Sequence, residues 1–437
     1  MYKRQIGSNI TIVGIKLTNN FNGYINTYNT IEGTDANSIF ENAANRSFIY
    51  WNSSMPMQTG IIVASASGSS FYYTGSVPTQ TIKPAVYYNL FTANGSIKQL
   101  GGNAIVLGNM SLSSLSGTYF AFSSVTATNL IIEGDLIGNG AFDMSPGGFS
   151  HTLNLKGNYS NTGNFTSGVG TVEYNGNVDQ TIKNTNYYNS VISGGSVKTP
   201  AAPSFFSVAN SLNLNGGIID LTLDAMSMNP GSSIVSGVPF SATNMIRCAP
   251  GSATGACLVR NGTNISDFNG FTFPIGDAAG YSPLVINNLA ANFTAGAFLF
   301  AKPFIATSSS NNHITRQFLV TSVGISTITD FQPTFSYLEP SERVNQPIKV
   351  NVSGLQSPIG FVDTVLGTFG INNLGNTTIG GIWVASSLDA QSIINFNPIP
   401  AQILANGGYT ISGVTVTSGL TPIVFTSSNA LIASVVN

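Results

Sequence analysis

One unit of 28 residues occurs twice in this chain. TVEYNGNVDQTIKNTNYYNSVISGGSVK, residues 171–198, repeats FYYTGSVPTQTIKPAVYYNLFTANGSIK, residues 71–98. Gln80-Thr81-Ile82-Lys83 matches Gln180-Thr181-Ile182-Lys183, Tyr87-Tyr88-Asn89 matches Tyr187-Tyr188-Asn189, and Ser96-Ile97-Lys98 matches Ser196-Val197-Lys198, mostly at an offset of 100. Agreement at this many positions between distant segments means that one supersecondary unit is used at least twice, the signature of a repeat architecture.

A finer repeat lies between the copies. LIIEGDLIGNGAF and LNLKGNYSNTGNF align as Leu130/Leu153, Ile132/Leu155, Gly134/Gly157, Leu136/Tyr159, Gly140/Gly163 and Phe142/Phe165, a constant offset of 23. SLNLNGGII, with Leu212, Leu214, Gly216 and Ile218, begins a third instance. Apolar residues alternate with Asn, Ser, Thr and Lys at period two, so each short run places one face inward and one toward water. A coil of this length that stacks on its neighbours buries a continuous column, and its glycines fall at corners, where positive φ costs them nothing. The expected product is a right-handed parallel β-helix of about ten coils over residues 1–240, a rod on the order of 50 Å long at about 4.8 Å per coil. GTDANSIFENAAN, residues 33–45, is the best helical candidate.

Composition places the chain among all-β proteins that work outside the cell. Charged residues are 7% of 437, against roughly 25% in an ordinary soluble domain. Asn, Ser, Thr and Gly replace the missing charge, and β-branched residues, aromatics, 47 Gly and 19 Pro favour strands and turns. With 15 basic and 17 acidic residues and no basic stripe, nucleic acid is disfavoured as a partner. No run approaches the ~18 apolar residues of a membrane helix. MYKRQIGSN lacks the apolar region of a signal peptide and reads as a fragment edge. Cys248 and Cys257, in RCAPGSATGAC, are the only cysteines; in an extracellular chain they are candidates for one disulfide, the alternative being two free thiols.

Beyond residue 240 the coil pattern fades. Runs such as FTFPIG, SPLVINNL, GAFLFA, QFLVTSVG and GIWVASS, with turn signals every ten to twenty residues, predict a β-sandwich over 241–390. Residues 391–437 read as a truncated immunoglobulin-like unit, too short for its usual seven strands.

On these residues the chain resembles the large secreted surface proteins of Bacteroidota. Tyr174-Asn175-Gly176, Gln180-Thr181-Ile182 and Tyr188-Asn189 resemble their recurrent Y-N-G, Q-x-I, Y-x-N-L unit. FTFPIGDAAGYSPL, residues 271–284, resembles their F-P-x-G, Y-x-P motif, and SGLTPIVFTSSNALIASV resembles their bacterial Ig-like repeats. The resemblance implies an adhesin or surface-layer component, exported by the type IX system and acting at the cell surface.

Parallel β-helices also serve as pectate lyases and polygalacturonases, so a carbohydrate-binding or polysaccharide-cleaving protein is the alternative. The lyase pattern needs an Arg base, and there is no Arg between Arg46 and Arg247. Asp143, Asp179, Asp220 and Asp224 occur singly; Glu133 and Asp135, two apart on a strand, share a face that suits an acid and base but equally a solvated coil surface. His151 and His313 stand alone as loop hydrogen-bonders, and Asp277 is too isolated a carboxylate to make a calcium site. Nothing reads as a cofactor motif or metal cluster, and no catalytic residue is assigned. The paired tyrosines remain. In a strand one member faces inward and its neighbour is displayed, so Tyr87 and Tyr187 are candidates for stacking on surface glycans, the alternative being the packing of a coil corner. The expected function is structural or adhesive and non-catalytic, with surface glycans or neighbouring surface proteins as partners.

Overall fold

The period-two alternation closes into stacked coils. In the computed structural model Leu130, Ile132 and Leu136 point inward and are fully buried, and the next coil sets Leu153, Leu155 and Tyr159 directly over them in parallel register. Phe142 and Phe165 are likewise register partners. Each buried Leu, Ile or Phe contributes roughly 1.5–3 kcal/mol, and the columns run unbroken through Phe48, Phe71 and Leu90 on another side. The structure describes residues 3–386 apart from 77, 114–118, 202–204, 223–224, 251–256, 306–313, 345–348, 353–354, 358–359 and 372–378, together with 393–395 and 415–416.

Parallel pairing begins at Lys3–Ile6, which stacks under Tyr24–Thr27, and ends where Met245–Cys248 pairs with Ile275–Asp277. The strands of successive coils fall into seven-, five-, six- and eighteen-stranded sheets, with smaller two- and three-stranded sheets at the first coils. The coil length is not constant. Stacked residues are 18 apart at Val172 and Ser190 but 32 apart at Met226 and Leu258, because loops of different length leave the same ladder and return to it. The boundary expected at residue 240 therefore falls inside the solenoid, which continues to residue 277.

Corners where coils touch backbone to backbone require glycine. A Cβ on Gly157 would lie 2.3 Å from the carbonyl of Gly134, and one on Gly163 would lie 2.1 Å from that of Gly140. The helix expected over 33–45 is absent: Ile31–Gly33 and Ile39–Asn42 are strands, and Phe40 joins the inward column between Leu17 and Ile62. A segment with weak helical periodicity gains more by burying Phe40 in the stack than by forming local hydrogen bonds. Buried Asn19 donates to the Asn42 side chain at 2.7 Å, and Asn42 donates to the Ser70 carbonyl at 3.1 Å, a ladder of amides from coil to coil.

The chain reverses at Asp277. Gly276 pairs antiparallel with Tyr281, and Leu284–Ile305 then runs back along Leu258–Asn261, so the following strands extend the eighteen-stranded sheet of the solenoid. Leu284–Ile305 and Arg316–Ser336 form one long antiparallel hairpin. Its pairing jumps from Phe293–Ile325 to Phe298–Val323, with Gly296 and Gly324 both at positive φ, and the ribbon folds over on itself there. Phe318 and Phe335, on the same strand, consequently meet at 4.8 Å, and Phe369 and Trp383 complete that cluster. The expected unit at 391–437 lies outside the described residues, except for the paired strands Ile393–Asn395 and Thr415–Val416.

Candidate functional site

Both copies of the repeated unit build the same polar cluster inside the solenoid. In each, Gln and Ile two residues apart point inward, so Gln80 and Gln180 are buried with Ile82 and Ile182. The Gln180 amide donates to the carbonyls of Leu155, at 2.8 Å, and Gly157 in the preceding coil, while its oxygen accepts the Gly176 N–H at 3.3 Å. Gln80 repeats this with the carbonyls of Tyr50 and Asn52, at 3.1 and 2.6 Å, and with the Gly75 N–H at 2.9 Å.

Directly above each Gln in the ladder stands a lysine, Lys98 on Gln80 and Lys198 on Gln180. Both side chains are buried. Lys198 Nζ donates to the Gly176 carbonyl at 2.7 Å and to Ser196 Oγ at 2.5 Å; Lys98 does the same with Gly75, at 2.5 Å, and with Ser96. Burial pulls each ammonium down to about 8, against a smaller opposing pull from Asp179 on Lys198. These lysines were missed in the sequence, although the inward Leu100, two residues after Lys98, gives the parity that would have found the first.

Tyr87 and Tyr187 are not displayed. Both are buried, and their hydroxyls meet those of Tyr73 and Tyr174 at 2.8 and 2.7 Å. Each also donates to a backbone carbonyl, of Lys83 at 2.7 Å and of Lys183 at 2.5 Å. Burial, the largest cause, raises both phenols well above the ordinary tyrosine range. The glycan-stacking assignment is thus corrected: the parity argument holds but places Tyr88 and Tyr188 on the outer side, because Tyr87 bridges to Ala64 and Tyr187 follows the inward column of Val208.

The other candidates are each taken up in local structure. Glu133 accepts from Lys156 at 2.5 Å, and Asp135 accepts the Asn158 N–H at 2.6 Å, both 23 residues on in the next coil. Asp143 binds Ser145, Asp179 accepts the Val197 N–H at 3.1 Å, and Asp220 pairs with Arg247 at 2.5 Å. His151 is buried, its Nδ1 accepting the Thr128 N–H at 3.1 Å and its Nε2 facing the Pro146 carbonyl at 3.2 Å. Asp277 is buried against Arg316, which also holds Glu342, so its oxygens are turned to a guanidinium and to the Ala279 N–H. Cys248 and Cys257 are joined in a disulfide. Asp224 and His313 lie outside the described residues. Among the described residues no three His, Cys, Asp or Glu side chains gather as a metal site would require, and no helix is long and apolar enough to cross a membrane.

Aromatic rings do face outward elsewhere. Tyr72 stacks on Phe91 of the next coil at 4.3 Å, and Tyr24 meets the edge of Tyr72 at 6.2 Å. At an adjoining corner the exposed Tyr28 stacks on Trp51 at 5.1 Å, and the Asn52 amide donates to the Tyr28 carbonyl at 3.0 Å. No family of proteins, no curated protein and no solved structure matches the chain.

Proposed function

We propose that this chain is a non-catalytic structural and adhesive segment of a secreted cell-surface protein, in which a β-solenoid stalk carries β-sandwich and Ig-like modules. One observation supports this reading above the others: the repeated unit spends its Gln, Lys and Tyr side chains on bonds within and between coils. What is duplicated is a device for holding a stack in register, which is what a load-bearing stalk needs. The near-neutral surface, rich in amides and hydroxyls, agrees with an extracellular setting of the kind that the Bacteroidota resemblance implies. Its partners are surface glycans or neighbouring surface proteins. Protease shaving of intact source cells, followed by immunodetection, tests the location: the segment is lost from the cells on this reading and is retained if the protein is internal. Release of reducing or unsaturated sugar from a panel of plant and bacterial polysaccharides would overturn the non-catalytic assignment.

A second reading, a carbohydrate-binding solenoid, is favoured by the outward rings. Tyr28, exposed and stacked on Trp51, offers an aromatic plane on which a sugar ring can pack. Glycan-array binding that disappears in Tyr28→Ala would support it; binding that survives that change, or no binding at all, would count against it.

A further inference from the structure

One face of the solenoid is apolar on its outside as well as within. Strand alternation turns every second side chain outward, and parallel register lines up Val86, Ile105 and Ile131 as an outward column. The bridge between Ala64 and Tyr87 sets Val63 opposite Val86, so the column begins one coil earlier. Ile61 and Leu107 flank it; with Val86 they are 46%, 41% and 38% exposed. A cleft of about 370 Å³ dishes the surface between residues 60–65 and 83–86. Its wall is closed, since the Tyr88 N–H donates to the Ala64 carbonyl at 2.6 Å, so it can receive side chains and not an added strand. Contiguous apolar surface of this kind marks a site of association.

On these strands the outward charges sit toward the two ends of the face. The column continues from Val63 to Glu41 and Thr18 in one direction, and from Ile131 to Asn154 and Glu173 in the other. Beside it, Lys16 pairs with Glu41 at 3.1 Å at the first end, and Lys156 with Glu133 at 2.5 Å at the second.

We propose that two copies of this chain pair through this face with their solenoids antiparallel, about a two-fold axis that lies along the strands between Val86 and Ile105. Such an isologous contact sets Val86 opposite Ile105 of the second copy and Val63 opposite its Ile131, so that those two isoleucines lie over the cleft. Charge decides the direction. In the antiparallel pair Glu41 stands opposite Asn154 of the second copy, beside its Lys156, and Thr18 stands opposite its Glu173, which brings Lys16 beside that carboxylate. A parallel pair centred on the same column sets Glu41 against Glu41 and Glu173 against Glu173, like charges face to face. At about 4.8 Å per coil and about 3.3 Å per residue the face covers roughly 450 Å² on each copy, little more than half of the ~800 Å² per partner of a stable complex. Pairing is therefore weak and reversible, with a dissociation constant on the order of 0.1 mM. It does not depend on the stalk reading above.

The test is sedimentation equilibrium of the full chain over a concentration series from about 10 to about 500 μM, a range that brackets that constant. A monomer–dimer equilibrium is expected. Val86→Asp and Ile105→Lys each weaken it by about 10-fold or more, because each buries a lone charge against an apolar side chain. Mixing the two single variants restores association, and so does the double variant, since the introduced charges then face each other across the axis; in a parallel pair the double variant would set like against like. Ile137→Lys, outward on the seven-stranded sheet beside Ser111, changes nothing. Restoration in the mixture shows that both single variants are folded, and unchanged urea midpoints check the others. A chain that stays monomeric to about 500 μM, association that survives Val86→Asp, or a double variant no better than the single ones would each overturn the proposal.

Discussion

The side-chain amide of Gln180 reaches 25 residues back to donate to the carbonyl of Leu155 at 2.8 Å, so a single side chain bridges two coils. Gln180→Ala leaves the carbonyls of Leu155 and Gly157 and the N–H of Gly176 short of a partner in a buried setting, at a cost of about 1–3 kcal/mol. Gln80→Ala incurs a similar loss, and the double variant is expected to lose about the sum, since the two clusters share no residue. Urea unfolding midpoints of the two single variants and the double variant measure this.

Tyr187 and Tyr188 give opposite outcomes. Tyr187→Phe removes the hydroxyl that meets Tyr174 and Lys183, for about 1–3 kcal/mol. Tyr187→Ala also opens a cavity between Phe165 and Phe206 and loses about 3–5 kcal/mol. Tyr188→Ala, on the half-buried outer side, stays within about 0.5 kcal/mol. Thermal melts of the three variants separate inward from outward.

Stability passes through a maximum in alkaline solution. Lys98 and Lys198 titrate at about 8 in the fold, against 10.5 when free, so the unfolded chain binds more protons between those values and stability rises with pH across that window. Burial raises Tyr73, Tyr87, Tyr174 and Tyr187 above 10, so above pH 10 the unfolded chain releases protons that the fold retains, and stability falls. Urea midpoints from pH 7 to 11 should climb from about 8 and turn down above about 10. Lys98→Met and Lys198→Met each flatten the rising limb.

Arg316 carries the junction between the last coil and the folded hairpin. It is fully buried between Asp277 of the reversal and Glu342 beyond the hairpin. Arg316→Met strands two carboxylates and costs about 3–5 kcal/mol. Replacing all three with apolar residues of similar volume, Asp277→Leu and Glu342→Leu with Arg316→Met, recovers most of that loss. Calorimetry of the single and triple variants distinguishes an uncompensated charge from lost packing.

Much of the solenoid could be read directly from residues. The pairs Leu130/Leu153, Ile132/Leu155 and Phe142/Phe165, 23 residues apart, are true register partners, because an inward column favours apolar side chains and period two fixes which positions face it. Where the column turns polar, that logic fails. Lys98 and Lys198 look like solvated lysines until the Gln beneath each, and the carbonyl each binds, are seen. For Tyr87 and Tyr187, parity within a pair says that one ring is buried but not which. The end of the solenoid is hidden in the sequence because a 32-residue excursion between Met226 and Leu258 dilutes the coil pattern without breaking the ladder.

The antiparallel pairing of Leu284–Ile305 along Leu258–Asn261 has a consequence for how copies behave in a crowd. A stack of parallel coils that ends on a bare strand offers a template on which any other extended chain can grow, and long flat edges of that kind seed aggregation. Here the hydrogen-bonding groups of Leu258–Asn261 are already engaged by a strand running the opposite way. The reversal at Asp277 therefore acts as a stopper against end-to-end fibre growth on this side of the molecule.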